Sequence, residues 1–154
     1  MYSLLVSNLI EENLGSAIDI DHGRFLEYTS DSIRNQLENL SAEATECLKA
    51  WPCLIMQEGR GEEVVHLAQI KTIQLDGREI KLTHSTVSGQ ATLVNDTLWK
   101  LRGELDIAEF EFSRNHWAVK DRSGPIRLHS SPRFLSEVSA ATYAASLPVG
   151  SITA

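Results

Sequence analysis

One dipeptide constrains this chain more than any other feature. Asp76-Gly77 stands between "EEVVHLAQIKTIQL" and "REIKLTHSTV", two long runs rich in β-branched residues. Asp-Gly in that setting is the strongest short-range hairpin signal, because a type I′ turn needs positive φ at both central residues. A two-residue loop at Asp76-Gly77 predicts the pairs Leu75 with Arg78, Ile73 with Ile80 and Lys71 with Leu82. Val65 and Leu67 share the parity of Ile73, whereas Ala68 and Ile70 take the opposite one. That switch predicts a bulge near Ala68–Gln69, or a strand buried on both faces. Strong bending of a long hairpin is a common device in small barrels.

The segments before the hairpin read as mixed structure. Leu4, Leu5, Leu9 and Ile10 suggest a turn and a half of helix, "AIDID" alternates like a strand, and "RFLEY" (Arg24 to Tyr28) favours extended packing. Ser30 or Asp31 can cap a helix whose apolar positions Ile33, Leu37 and Leu40 lie on one face. Ala44, Cys47 and Leu48 continue as a second helix that Pro52 stops, so residues 31–50 hold two short helices or one bent one. "CLIMQEG" reads as a buried strand. After the hairpin, Asn95 or Asp96 caps a helix over 96–106, with Leu98, Leu101 and Leu105 on its stripe.

"FEFSRNHWAVKD", Phe110 to Asp121, cannot be one regular strand. Phe110 and Phe112 share one parity, Trp117 and Val119 the other. A turn or bulge at Ser113–Asn115 lets both pairs face one core and leaves His116 pointing away from Trp117.

Length and charge bound the rest. A chain of 154 residues suits one domain with a substantial core. Formal net charge is −7, and no run gathers even three Lys or Arg closely, which disfavours nucleic acid as a partner. Residues 1–121 carry 20 acidic and 11 basic side chains, net −9, and residues 122–154 three Arg and one Glu, net +2. That second stretch is a Ser/Ala-rich tail, in which 134–147 reads as a helix. The N-terminus lacks a basic region followed by an apolar core, so it does not read as a signal peptide, and no apolar run reaches a membrane span's length. Two cysteines, Cys47 and Cys53, are too few for a disulfide framework, and a cytoplasmic location with reduced thiols follows as the expectation.

Chemistry-bearing motifs are sparse. The five histidines form no H-E-x-x-H pair. His66 and His84 lie on the two hairpin strands and could share a metal, though strand histidines are usually just solvated or hydrogen-bonded. Asp19, Asp21 and His22 form the densest ligand-type cluster, but strand geometry puts His22 opposite the carboxylates. Cys47 and Cys53 read as core. Gly59-Arg60-Gly61 is followed by Glu62 and Glu63, which would repel phosphate. Neither Glu11-Glu12 nor Glu62-Glu63 puts two carboxylates on one side. No metal or cofactor is expected.

The order "FLEYTSD", "WPCLIMQEG", "VVHLAQIKTI", "LDI" and "N-x-H-W-A-V-K-D" resembles an uncharacterised bacterial N-terminal module found ahead of effector domains. The resemblance spans about residues 25–121 and implies no assigned activity. A module standing alone with a replaced tail fits the product of a mobile gene cassette.

The expected fold is α+β: a strongly bent antiparallel sheet or small open barrel of about five strands, with two or three flanking helices over 1–121. The expected function is a non-catalytic binding or protein-interaction module, with Arg114, His116 and Trp117 as candidate ligand-binding residues. A protein partner or self-association is favoured over nucleic acid, and self-association would use the tail helix. The alternative is a small metal-independent enzyme that uses His116 with Glu111, Glu109 or Asp121 as the carboxylate.

Overall fold

The computed structural model describes residues 1–8, 17–86 and 93–121. The tail helix at 134–147, the pair Glu11-Glu12, and Leu9 and Ile10 lie outside the described residues.

The sheet is built from β1 (Tyr2–Val6), β2 (Ile18–Asp21), β3 (Pro52–Met56), β4 (Val64–Asp76), β5 (Glu79–Thr86), β6 (Leu93–Val94) and β7 (His116–Lys120). Its order is β2-β5-β4-β3-β1-β7, with β6 beside β4. Pairings are antiparallel except β1 with β3, which run parallel. The fold is therefore α+β, but among the described residues the sheet has seven strands rather than five, is mixed, and is neither closed nor strongly curled. The extra strands come from segments whose pattern does not alternate.

β1 shows why. Its five residues, YSLLV, are all buried. Leu5 enters one apolar cluster while Tyr2, Leu4 and Val6 enter another across the sheet. A strand buried on both faces reads as a continuous apolar run, which periodicity cannot tell from helix. The expected N-terminal helix turn is thus strand over Tyr2–Val6.

Helices cover both faces. α1 (Asp31–Leu37) and α2 (Ala42–Ala50) place Ile33, Leu37, Ala44 and Leu48 against Ile55, Ile70, Ile80, Leu82 and Trp117. Ser41 caps α2 by accepting from the Ala44 N–H at 3.1 Å. On the other face, α3 (Asn95–Lys100) and α4 (Arg102–Leu105) supply Leu98 and Leu105, which pack with Leu4, Leu54, Met56 and Phe112. The helix expected over 96–106 breaks at Leu101. Asn95 is fully buried, and its amide donates to the carbonyls of Gln57 (2.8 Å) and Gly59 (3.0 Å) rather than capping its own helix.

The hairpin forms, one step displaced from expectation. Asp76 pairs with Glu79, Leu75 with Ile80 and Ile73 with Leu82, so the loop is Gly77-Arg78. Gly77 has φ 61° and Arg78 is not in the left-handed region, as in a type II′ turn with glycine first. A bulge falls between Ile70 and Thr72. It flips parity, so Ile70 before it and Ile73 after it meet the same cluster. Val65 and Leu67 meet the opposite cluster, so the strand is bulged and also buried on both faces.

"RFLEY" is not a strand. After a 3₁₀ turn at His22–Arg24, Phe25 makes one bridge to Trp117, and Leu26 (φ 64°) and Tyr28 (φ 54°) adopt left-handed backbone. Such conformations are uncommon for bulky residues, and no glycine or asparagine announces them here.

Candidate functional site

The candidate site forms where this turn meets β7. β7 is the last strand of the sheet, so one side of its backbone lacks a strand partner. The segment Phe25–Thr29 fills that side. The Leu26 N–H donates to the Trp117 carbonyl at 2.7 Å, and the Val119 N–H donates to Thr29 Oγ1 at 3.0 Å.

Parity along β7 sorts its side chains. Trp117 and Val119 enter the cluster beneath α1 and α2. Trp117 meets the Phe25 ring at 4.9 Å and donates its indole N–H to Ser3 Oγ at 3.1 Å. His116, Ala118 and Lys120 take the other face, where a 3₁₀ turn over Glu109–Ser113 brings Glu111 up to them.

Glu111 is the hub. One carboxylate oxygen accepts from Lys120 Nζ at 2.8 Å and from the Ala108 N–H at 2.9 Å; the other lies 3.0 Å from His116 Nε2. His116 Nδ1 sits 2.6 Å from the Arg114 carbonyl, which only accepts, so Nδ1 carries a hydrogen. Nε2 and the carboxylate then share one proton. Lys120 Nζ also donates to the Tyr28 carbonyl at 3.1 Å, and the Tyr28 ring stands edge-on to His116 at 5.0 Å. His116 is 0% exposed, Glu111 1% and Lys120 3%. Burial pushes the Glu111 carboxyl upward, but the hydrogen bonds from His116, Lys120 and Ala108 and the Lys120 charge outweigh it and hold the group below the usual carboxylate range.

The sequence candidates scatter around this hub. His116 and Glu111 meet, in the interior. Arg114 is exposed and grips Glu27 bidentately at 2.9 and 2.8 Å. Trp117 faces the opposite cluster. Glu109 is exposed and reaches Arg102 at 3.4 Å; Asp121 is exposed at the end of β7. Phe110, expected in the core beside Phe112, is 55% exposed and lies 4.8 Å from the Tyr28 ring. A 3₁₀ turn does not put residues i and i+2 on one face, which is the reason for that difference. Lys120 and Tyr28 were missed as partners. Lys120 was legible, because strand parity sets it on the His116 face.

Elsewhere, burial pushes the Cys53 thiol up to about 12, so it has no thiolate character near neutrality. Burial pushes His84 down, with His66 adding to the effect, and burial pushes His66 down as well. Among the described residues no group of three or more His, Cys, Asp or Glu is placed to hold a metal ion. No helix among them is long and apolar enough to cross a membrane.

Beside the sealed cluster lies an open cleft of about 460 Å³, bordered by Asp19, Asp21, Arg24, Glu58, Arg114 and Asn115. Its two cations share one carboxylate, since Arg24 (3.3 Å) and Arg114 (2.8 Å) both pair with Glu27, which leaves one positive charge of the two unbalanced. No family model, curated protein or solved structure matches the chain.

Proposed function

We propose that this chain is a non-catalytic binding module whose ligand enters the cleft between β2 and the Ser113–Asn115 turn. One observation carries the proposal. The side chains of catalytic type, His116, Glu111 and Lys120, satisfy one another inside the protein, while three carboxylates border the solvent-facing cleft: Asp19, opposite Lys81 on β5, Asp21, which also accepts from the Gly23 N–H at 2.7 Å, and Glu58. A general acid or base must reach the proton it moves. His116 has both ring nitrogens engaged and borders neither this cleft nor the smaller one beside α2.

The cleft chemistry favours a protein partner that offers a basic segment. Strand-end carboxylates steer and hold Lys or Arg side chains, and such rim charges act mainly on specificity and association rate. The proposed kinship with N-terminal modules that precede effector domains is compatible with a docking role.

Amide chemical-shift mapping tests this. A short Lys-rich peptide is expected to shift Asp19 to Arg24, Arg114 and Asn115, and a Glu-rich peptide of equal length to shift none of them. A basic peptide that leaves those amides unmoved overturns the proposal. The enzyme alternative rests on the 3.0 Å His116–Glu111 contact. It requires the buried cluster to open to solvent, since His116 is 0% exposed, and a His116→Gln variant that lost a measured activity while keeping its fold would restore it.

A further inference from the structure

The distal half of β4 carries a surface that the cleft proposal does not use. Beyond the bulge at Lys71, Thr72 to Asp76 pair with β5 on one side only. β3 stops pairing at Gln69 and β6 pairs only Val64 and Val65, so among the described residues no strand borders Lys71–Asp76 on its other side. Apart from half-buried Ile73, all of these residues are exposed, and Leu75 is 50% exposed.

Two other edges of the sheet are guarded among the described residues. β7 is covered by Phe25–Thr29, and β2 is short and bears Asp19 and Asp21. Proteins blunt open edges with proline, mid-strand charge, bulges or a covering loop, because unpaired N–H and C=O groups template another strand. From Thr72 to Leu75, just past the bulge, this edge has neither proline nor charge, and among the described residues no hydrogen-bonded strand covers it.

We infer that a second copy of this chain pairs here, β4 against β4 antiparallel about a twofold axis through Gln74. A twofold axis perpendicular to the sheet keeps each residue on its own face, so it allows only registers that pair like parity. The register centred on Gln74 sets Ile73 against Leu75 of the other copy, twice, and covers the exposed Leu75. It sets Thr72 against Asp76 twice, a hydroxyl facing a carboxylate, and stacks the two Gln74 amides. The register centred on Ile73 would instead put Lys71 against Leu75. Charge also favours this face. Lys71, Asp76, Arg78, Glu79 and Lys81, with Asp19 and Asp21 opposite Lys81 and Glu79, sum to −1 in a chain of net −7, so this arm carries little of the charge that would hold two copies apart.

Sedimentation of the full chain over a wide concentration range is the test. The expected result is a reversible dimer of twice 17.1 kDa, in which Leu75→Lys raises the dissociation constant at least about tenfold. Phe110→Lys, at an equally exposed apolar residue elsewhere, should leave it unchanged. Circular dichroism confirms the fold of each variant. A chain monomeric throughout, a dimer indifferent to Leu75→Lys, or equal weakening by Phe110→Lys overturns the inference.

Discussion

Two borders of one sheet are finished in opposite ways. At β7 the free backbone is covered by a turn, and the side chains behind it are tied into a buried network of Glu111, His116 and Lys120. At the distal half of β4, among the described residues, no strand borders the backbone on its outer side, and the side chains other than Ile73 are exposed. The difference shows where this fold spends its polar chemistry. The residues that would draw attention as a catalytic set clasp together the 109–113 turn, the 25–29 turn and β7 through their hydrogen bonds. The edge that looks plainest in sequence is the one left available.

The largest expected effect breaks the clasp. Glu111→Ala leaves Lys120 and His116 buried without their shared acceptor and should cost about 3–5 kcal/mol in a denaturant titration. Replacing all three by apolar residues of similar volume should cost far less, since the charges then vanish together. Acid should do what Glu111→Ala does, in a second stage. The folded pKa of Glu111 is lowered, so its contribution is complete above the ordinary value of 4.5 and is lost as pH falls through the lower folded value. His66 and His84 are also lowered, so the unfolded chain takes up protons that the fold resists. Stability should therefore begin to fall below the ordinary 6.5 of histidine and fall again below 4.5, and Glu111→Ala should abolish only the second decline.

Smaller effects follow. Thr29→Val leaves the buried Val119 N–H without its acceptor and should cost about 1–3 kcal/mol. Gly77→Ala forces a Cβ into a left-handed backbone, φ 61°, at the turn of the β4–β5 hairpin arm and should cost about 1–2 kcal/mol by thermal denaturation. Leu75→Lys, on the exposed edge, should change monomer stability by no more than about 0.5 kcal/mol. If Leu75→Lys costs as much as Glu111→Ala, the contrast between the two borders is wrong.

Much of the arm was legible in sequence and much of the clasp was not. Asp76-Gly77 marked the hairpin, and the parity switch between Leu67 and Ala68 marked the two-sided burial, while the bulge expected near Ala68–Gln69 falls between Ile70 and Thr72. The loop was misplaced by one residue, because glycine at the first turn position, unlike glycine at the second, selects type II′. β1 was misread because Tyr2–Val6 is buried on both faces and does not alternate. The Phe25–Tyr28 turn depends on Leu26 and Tyr28 at positive φ, held by Trp117 and Arg34 across the chain, which no local pattern encodes. At the site, His116 and Glu111 were named, but their burial depends on that same turn. Arg114 and Trp117 were drawn to other partners, Glu27 and Phe25, that lie far away in sequence.

Native-state hydrogen exchange in dilute, monomeric protein tests the contrast most directly. The Leu26 and Val119 amides, which fasten the turn to β7, should exchange only through global unfolding, with opening free energies equal to that from denaturant. The β4–β5 amides of the arm should open at lower cost, and Glu111→Ala should bring Leu26 and Val119 down towards the arm. Leu26 and Val119 exchanging as readily as the arm in the unaltered protein would contradict the account.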